Sequence, residues 1–183
     1  MISVTLIGAG NVAQHLYKAF SVSQKVRVHQ WFNRNLKRIE CHKNDVQITD
    51  NLSELKGADI FIISVSDDAI VDVSKKLLFS DKLTLHTSGS VNMHHLNKKN
   101  HRGVFYPLQT FSKDKAVNFK TIPLCLETEN EKDAPTLKLI ANAISEHYLP
   151  LGPSDKVPKD KIAKAYFAKA KLANVFIRYI YIR

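Results

Sequence analysis

Two rhythms of apolar positions run along the chain: short runs rich in β-branched and aliphatic residues, and stretches whose apolar positions recur at helical spacing. Ile2 to Ile7 is a run of the first kind, predicts a buried strand, and stops at Gly8. A helix is predicted to begin near Asn11. Lys25 to Phe32 alternates as a second strand, Leu36 to His42 predicts a short helix, and Val46 to Ile48 a short third strand. Ala58 to Val65 is apolar throughout, as expected of a parallel strand covered on both faces. Asp67 and Asp68 then supply an N-cap and a first-turn acid for a helix reaching about Phe79, with Ile70, Val71, Val73, Leu77 and Leu78 on its apolar face.

Leu83 to His86 predicts another strand, followed by His86-Thr87-Ser88-Gly89-Ser90. Gly103 to Gln109 and Ile122 to Glu127 read as further strands, with Pro107 and Pro123 marking strand ends or sheet edges. Glu129 to Glu146 predicts a helix that presents Leu137, Ile140, Ala141 and Ile144, and His147 to Leu151 a last short strand. Strands alternating with helices imply an α/β fold with a doubly wound, mostly parallel sheet. The Pro/Gly segment from Pro150 to Pro158 looks like a boundary. It divides a sheet domain, residues 1–152, from a linker and helical segment, residues 153–183.

Composition narrows the function. With 183 residues, 44% hydrophobic and 24% charged, the chain can bury one full core and has the balance of a globular protein. No apolar run approaches the length of a membrane span and no basic-then-apolar leader opens the chain, so a cytoplasmic protein without membrane contact is the expectation. Cys41 and Cys125 form no C-x-x-C pair, and no second ligand cluster accompanies His94, His95 and His101, so neither a disulfide framework nor a metal site is indicated. The net charge of +10 attracts phosphates. From Leu151 onward, eight basic residues stand against two acidic ones, but no recognisable nucleic-acid module carries them, which argues against a nucleic-acid partner.

The most informative stretch is Val4 to Leu16, VTLIGAGNVAQHL, in which Gly8, Gly10 and Ala13 make a G-x-G-x-x-A at a strand-to-helix turn. Gly8 suits the tight turn, Gly10 lets the backbone approach a pyrophosphate, and Ala13 lets the helix lie close on its strand. The pyrophosphate then rests on the free N–H groups of Asn11, Val12 and Ala13. In such folds the second strand ends with an acid that holds the adenosine ribose. Here that strand ends in Asn33 and Arg34, so no carboxylate repels a 2′-phosphate, and a guanidinium stands ready to pair with one. The expected cofactor is NADP.

LIGAGNVAQHL, the Asn33-Arg34 pair, DIFIISVSDDAI, LHTSGSVN and GVFYPLQTFS together resemble a family of Rossmann-like NADP oxidoreductase homologues with a C-terminal helical domain of unknown function. That family is related to pyrroline-5-carboxylate reductase and the deazaflavin-dependent NADP reductases. The resemblance covers roughly residues 1–155. It implies that Val65 and Ser66 run beside the cofactor's phosphates and nicotinamide ribose, and that the 86–90 loop faces the nicotinamide. It also implies a homodimer through the C-terminal helix, of which Lys159 to Arg183 resembles a shortened opening; the apolar face carrying Ala163, Tyr166, Phe167 and Ala170 either folds back on the sheet domain or packs on another chain.

Candidate chemistry sits at the carboxyl ends of the fourth and fifth strands. His86 has the solution pKa to exchange a proton near neutrality, and Ser88 can hold a carbonyl or carboxylate through its hydroxyl, with Tyr106 and Gln109 as neighbours. An alternative stays open: His86 as a buried histidine bonded to backbone, and Thr87 to Ser90 as a capping turn. Asp68 reads as a helix cap more than as a base. Two functions follow. One is an NADP-dependent oxidoreductase acting on a small imine, carbonyl or hydroxy compound. The other is a catalytically poor NADP-binding or sensing protein that works through protein partners.

Overall fold

Eight strands and three helices follow one another along the part of the chain that the computed structural model describes, residues 1–113 and 115–150. The strands are β1 (Ile2–Ile7), β2 (Val26–Phe32), β3 (Gln47–Thr49), β4 (Ile60–Ile63), β5 (Leu83–His86), β6 (His101–Pro107), β7 (Leu124–Thr128) and β8 (Tyr148–Pro150). The helices are α1 (Asn11–Ser21), α2 (Asp67–Lys75) and α3 (Ala134–Asn142). They form one sheet in the order β3-β2-β1-β4-β5-β6-β7-β8. Strands β1 to β6 are mutually parallel, β7 runs antiparallel to β6, and β8 is parallel to β7. This is the doubly wound, mostly parallel α/β sheet that the sequence implies, with its order reversing at β1.

The apolar runs are continuous because both faces of the sheet are covered. Successive side chains leave a strand on opposite sides. Val4, Leu6, Ile60, Ile62, Leu83 and Leu85 join one core with Leu16 and Phe20 of α1 and Leu137 and Ile140 of α3. Ile7, Phe61 and Ile63 join a second core with Ile70 of α2. Thr84 and His86 alternate with Leu83 and Leu85 and therefore face the α2 side, where both are fully buried.

Several predicted elements come out shorter, for local reasons. The helix predicted to Phe79 ends at Lys75, where the Lys76 N–H closes onto the Asp72 and Val73 carbonyls. The chain then turns and stacks the Phe79 ring on Phe61 at 3.9 Å between centroids, leaving Leu78 exposed. The helix predicted over 129–146 occupies only Ala134–Asn142, because Asn130 folds 131–133 into a 3₁₀ turn and Pro135 sits in the first turn of α3. At its far end the Ser145 hydroxyl donates to the Ile122 carbonyl and draws the chain into β8. Leu36 to His42 is two 3₁₀ turns, the first capped by Asn35, and the third strand falls at Gln47–Thr49.

Met1–Gly152 forms one compact unit. The linker, helical segment and dimer helix expected for 153–183 lie outside the described residues. Among the described residues no helix is long and apolar enough to cross a membrane.

Candidate nucleotide-binding site

The turn after β1 is built around Gly8, whose φ of +113° lies where side-chain-bearing residues are strained. A Cβ there would collide with the Ser64 carbonyl and come within 2.8 Å of Val65 Cγ1, so glycine is required by the neighbouring end of β4. The Gly8 N–H donates to the Phe32 carbonyl at 2.8 Å, and the Gly8 carbonyl accepts the buried Trp31 indole N–H at 2.6 Å. In a trans peptide the N–H points opposite to the carbonyl, so the Ala9 N–H is turned away from Trp31.

Gly10 differs. A Cβ there would meet nothing within 4 Å, so no protein atom demands glycine at this position. Gly10 is the N-cap of α1, no side chain caps that end, and its first turn holds no acid. Ala13, fully buried, lets α1 lie on the sheet. The open cradle above Gly10 and the uncapped amino end behind it fit a bound diphosphate. By contrast α2, which starts at the same sheet edge, carries Asp67 and Asp68 in its first turn and repels an anion. The two helix ends are therefore unequal, and α1 is the one suited to phosphate.

Two contacts that sequence reasoning missed fix α1. The Asn11 side-chain amide donates to the Phe111 carbonyl at 2.9 Å, and His15 Nε2 lies 3.1 Å from the Ser112 carbonyl. They tie the helix to the segment after β6. No local pattern announces either contact.

Beyond β2, Asn33 Nδ2 donates to the Asn35 carbonyl at 2.8 Å, and Arg34 is exposed. The turn that follows adds Lys37 and Arg38, both exposed, and the Gln14 side chain of α1 donates to the Arg38 carbonyl at 3.1 Å. These extra cations were legible as residues but not as neighbours of Arg34. Val65 is half-buried and Ser66 exposed at the N-cap of α2.

At the next strand ends the Thr87 hydroxyl donates to Ser64 Oγ at 3.1 Å, joining β5 to β4. Ser88 is 7% exposed, and its Oγ accepts from the Ser90 and Val91 N–H groups at 3.1 Å each. Ser90 donates to the Asp67 carboxylate. Gly89 gives room to the Tyr106 ring, whose Cε1 would lie 2.7 Å from a Cβ there, so Tyr106 does neighbour this loop. Gln109 is exposed and accepts the Thr110 N–H.

His86 has 0% exposure, and its Nδ1 accepts the Ser88 N–H at 3.2 Å, which puts the proton of the neutral ring on Nε2. Nε2 is buried without a partner. Burial lowers the His86 pKa from 6.5 to about 4, Asp67 opposing the shift and His95 adding to it. The ring is thus neutral at physiological pH.

The sign of the resulting pH dependence follows from linkage. The unfolded chain takes up this proton first as pH falls below about 6.5, so stability drops through the window down to about 4 and then levels off, by about 3 kcal/mol in all. Urea unfolding of wild type and His86→Gln should show the wild type losing about that much ground between pH 7.5 and pH 4. Parallel losses would contradict it.

Elsewhere, His94 lies 3.9 Å from Glu129, and His101 Nδ1 lies 3.0 Å from the Asp133 carboxylate. Among the described residues no group of three or more His, Cys, Asp or Glu converges as a metal site would need. Cys41 is exposed and Cys125 buried, both free, and burial pushes the Cys125 thiol up to about 12.

No protein-family model and no curated protein matches the chain. Solved structures do. A Bacteroides fragilis protein provisionally described as an NADP oxidoreductase is 29% identical, with a TM-score of 0.71, over 93% of this chain and 69% of that one. An imine reductase variant from Myxococcus stipitatus, in complex with NAD+, is 17% identical with a TM-score of 0.63, over 94% of this chain and 61% of that one. 1-Pyrroline-5-carboxylate reductase from Streptococcus pyogenes is 12% identical with a TM-score of 0.67, over 93% of this chain and 66% of that one. The chain therefore has the Rossmann-like fold of the NADP oxidoreductase homologues that its LIGAGNVAQHL, HTSGS and YPLQTFS stretches resemble.

Proposed function

We propose that the chain binds NADP(H) and serves hydride transfer between that cofactor and a small imine, carbonyl or hydroxy compound. One observation carries the reading: the amino end of α1 is uncapped and acid-free behind a glycine turn that leaves open space over Gly10. The N–H groups of Asn11, Val12 and Ala13 face the diphosphate. Asn33 and Arg34 take the adenosine side, where the guanidinium forks onto the 2′-phosphate and Lys37 and Arg38 add positive potential. Val65 and Ser66 run beside the phosphates and the nicotinamide ribose.

The cofactor supplies the hydride chemistry, while the chain binds and orients. His86 and Ser88, the candidates for proton exchange and for holding the substrate's carbonyl or carboxylate, also shape the 86–90 loop, since His86 Nδ1 and Ser88 Oγ accept backbone N–H groups within it or just after it. The same observation favours a second reading, a catalytically poor NADP-binding or sensing protein that acts through protein partners. A calorimetric titration with NADPH and NADH, followed by the absorbance of the reduced nicotinamide against cyclic imines, keto acids and aldehydes, separates the outcomes. Turnover supports the enzyme; tight binding with no turnover supports the sensor; no binding removes both.

Gly10→Ala isolates the cradle from the fold. Its φ of −72° suits alanine and no atom stands in the way, so stability should change by no more than about 1 kcal/mol in urea. Affinity for NADPH should fall roughly tenfold, because a methyl group then stands where the diphosphate approaches. Unchanged affinity would place the ligand elsewhere.

A further inference from the structure

Trp31 lies in β2, in the core shared with α1, and touches both halves of the proposed site. Its ring is fully buried and is the only indole in the chain. Its N–H holds the Gly8 carbonyl, and with it the orientation of the peptide whose Ala9 N–H turns the other way. Its ring stacks on Tyr17 of α1, with centroids 4.6 Å apart, and on His42, 5.2 Å apart. Tyr17 and His42 also meet, at 4.5 Å.

His42 ends the pair of 3₁₀ turns that begins two residues after Arg34 and carries Lys37 and Arg38. One side chain therefore joins the glycine turn, the helix behind it and the cationic segment beyond β2. We propose that Trp31 is a positioning residue for nucleotide binding. Its indole N–H sets the diphosphate turn through Gly8, and its stack with His42 sets the segment that discriminates the 2′-phosphate. This inference rests on the nucleotide reading given above.

A buried carbonyl deprived of its donor seeks another partner, and the turn relaxes to find one. The ring contact between Trp31 and His42 involves no atom of the turn, so its loss acts on the other half. The two functions of the ring can therefore be separated by two substitutions.

Trp31→Phe keeps an aromatic ring in the stack, removes the donor and leaves a small cavity where the larger indole was, a packing cost read separately from the melting temperature. It should weaken NADPH and NADH alike, by about five- to tenfold, leaving the ratio of the two affinities unchanged. His42→Ala keeps the Gly8 bond and, being half-exposed, spares the core. It should leave NADH affinity unchanged and lower the NADPH-to-NADH ratio by about threefold or more. Affinities are read by calorimetry, with far-UV circular dichroism confirming that each variant is folded.

A role confined to packing would lower the melting temperature and move neither affinity nor ratio, which would overturn the proposal. So would a Trp31→Phe variant that binds both dinucleotides as wild type does, or a His42→Ala variant with the wild-type ratio. If wild type itself binds neither dinucleotide, the nucleotide reading fails first and this one with it. The two failures are told apart by the wild-type titration alone.

Discussion

Gly8→Ala is expected to destabilise the fold by roughly 3 kcal/mol or more and to abolish nucleotide binding in whatever fraction still folds. Two penalties add. Alanine at φ +113° is strained in its own backbone, and its Cβ would run into the Ser64 carbonyl and Val65 Cγ1, of which the backbone carbonyl is held in place. Ser64 is held through its N–H to the Ile7 carbonyl at 2.7 Å and through its hydroxyl to Thr87. Relief would have to come from β1 itself, breaking the Gly8 carbonyl away from Trp31. Urea denaturation measures the first effect and calorimetric titration with NADPH the second. A variant with near wild-type midpoint and affinity would mean that the turn is not shaped as described. Set beside Gly10→Ala, which spares the fold and costs affinity, the pair separates the glycine that the protein needs from the glycine that the ligand needs.

Arg34→Ala is expected to lower NADPH affinity by roughly tenfold or more while leaving NADH affinity within about twofold. The end of β2 offers Asn33 and Arg34 where an acid would hold an unmodified ribose, so that position lacks the repulsion that excludes a 2′-phosphate and, on the proposed reading, offers a guanidinium fork to one. Arg34 is exposed, so solvent and salt weaken each contact and the fold-change stays moderate; raising the salt concentration should shrink the difference further. Lys37 and Arg38 stand in the same segment and retain part of the potential in the single variant. Equal losses for NADPH and NADH would show that Arg34 does not read the extra phosphate.

β1 and β4 were legible because their central residues are buried on both faces, and a run such as Ile60–Ile63 has no other use in a chain of this composition, whereas β2 was legible from its alternation. Gly8 and Ala13 were legible for a different reason: the tight turn and the close approach of α1 each need a small residue at a spacing set by the turn itself. The short helices were harder. The end of α2 is set by Phe79 stacking on Phe61, and the start of α3 by the Asn130 turn and Pro135, so tertiary contact and capping overrode the helical spacing of apolar positions. The His86 environment depends on which face of β5 it takes and on a loop that folds back to bond its Nδ1, which left its two alternatives open at the level of sequence. Trp31 read as one more apolar residue of β2. Its hydrogen bond to Gly8 joins residues 23 positions apart and has no local signature.

The most direct measurement is a titration of the isotopically labelled protein with NADP+, followed by backbone amide resonances. The account predicts that the largest shifts fall on the amides of Ala9 to Ala13 at the amino end of α1, with a second group at Asn33 and Arg34. Binding that leaves those amides unmoved, or shifts concentrated at the amino end of α2, would contradict it.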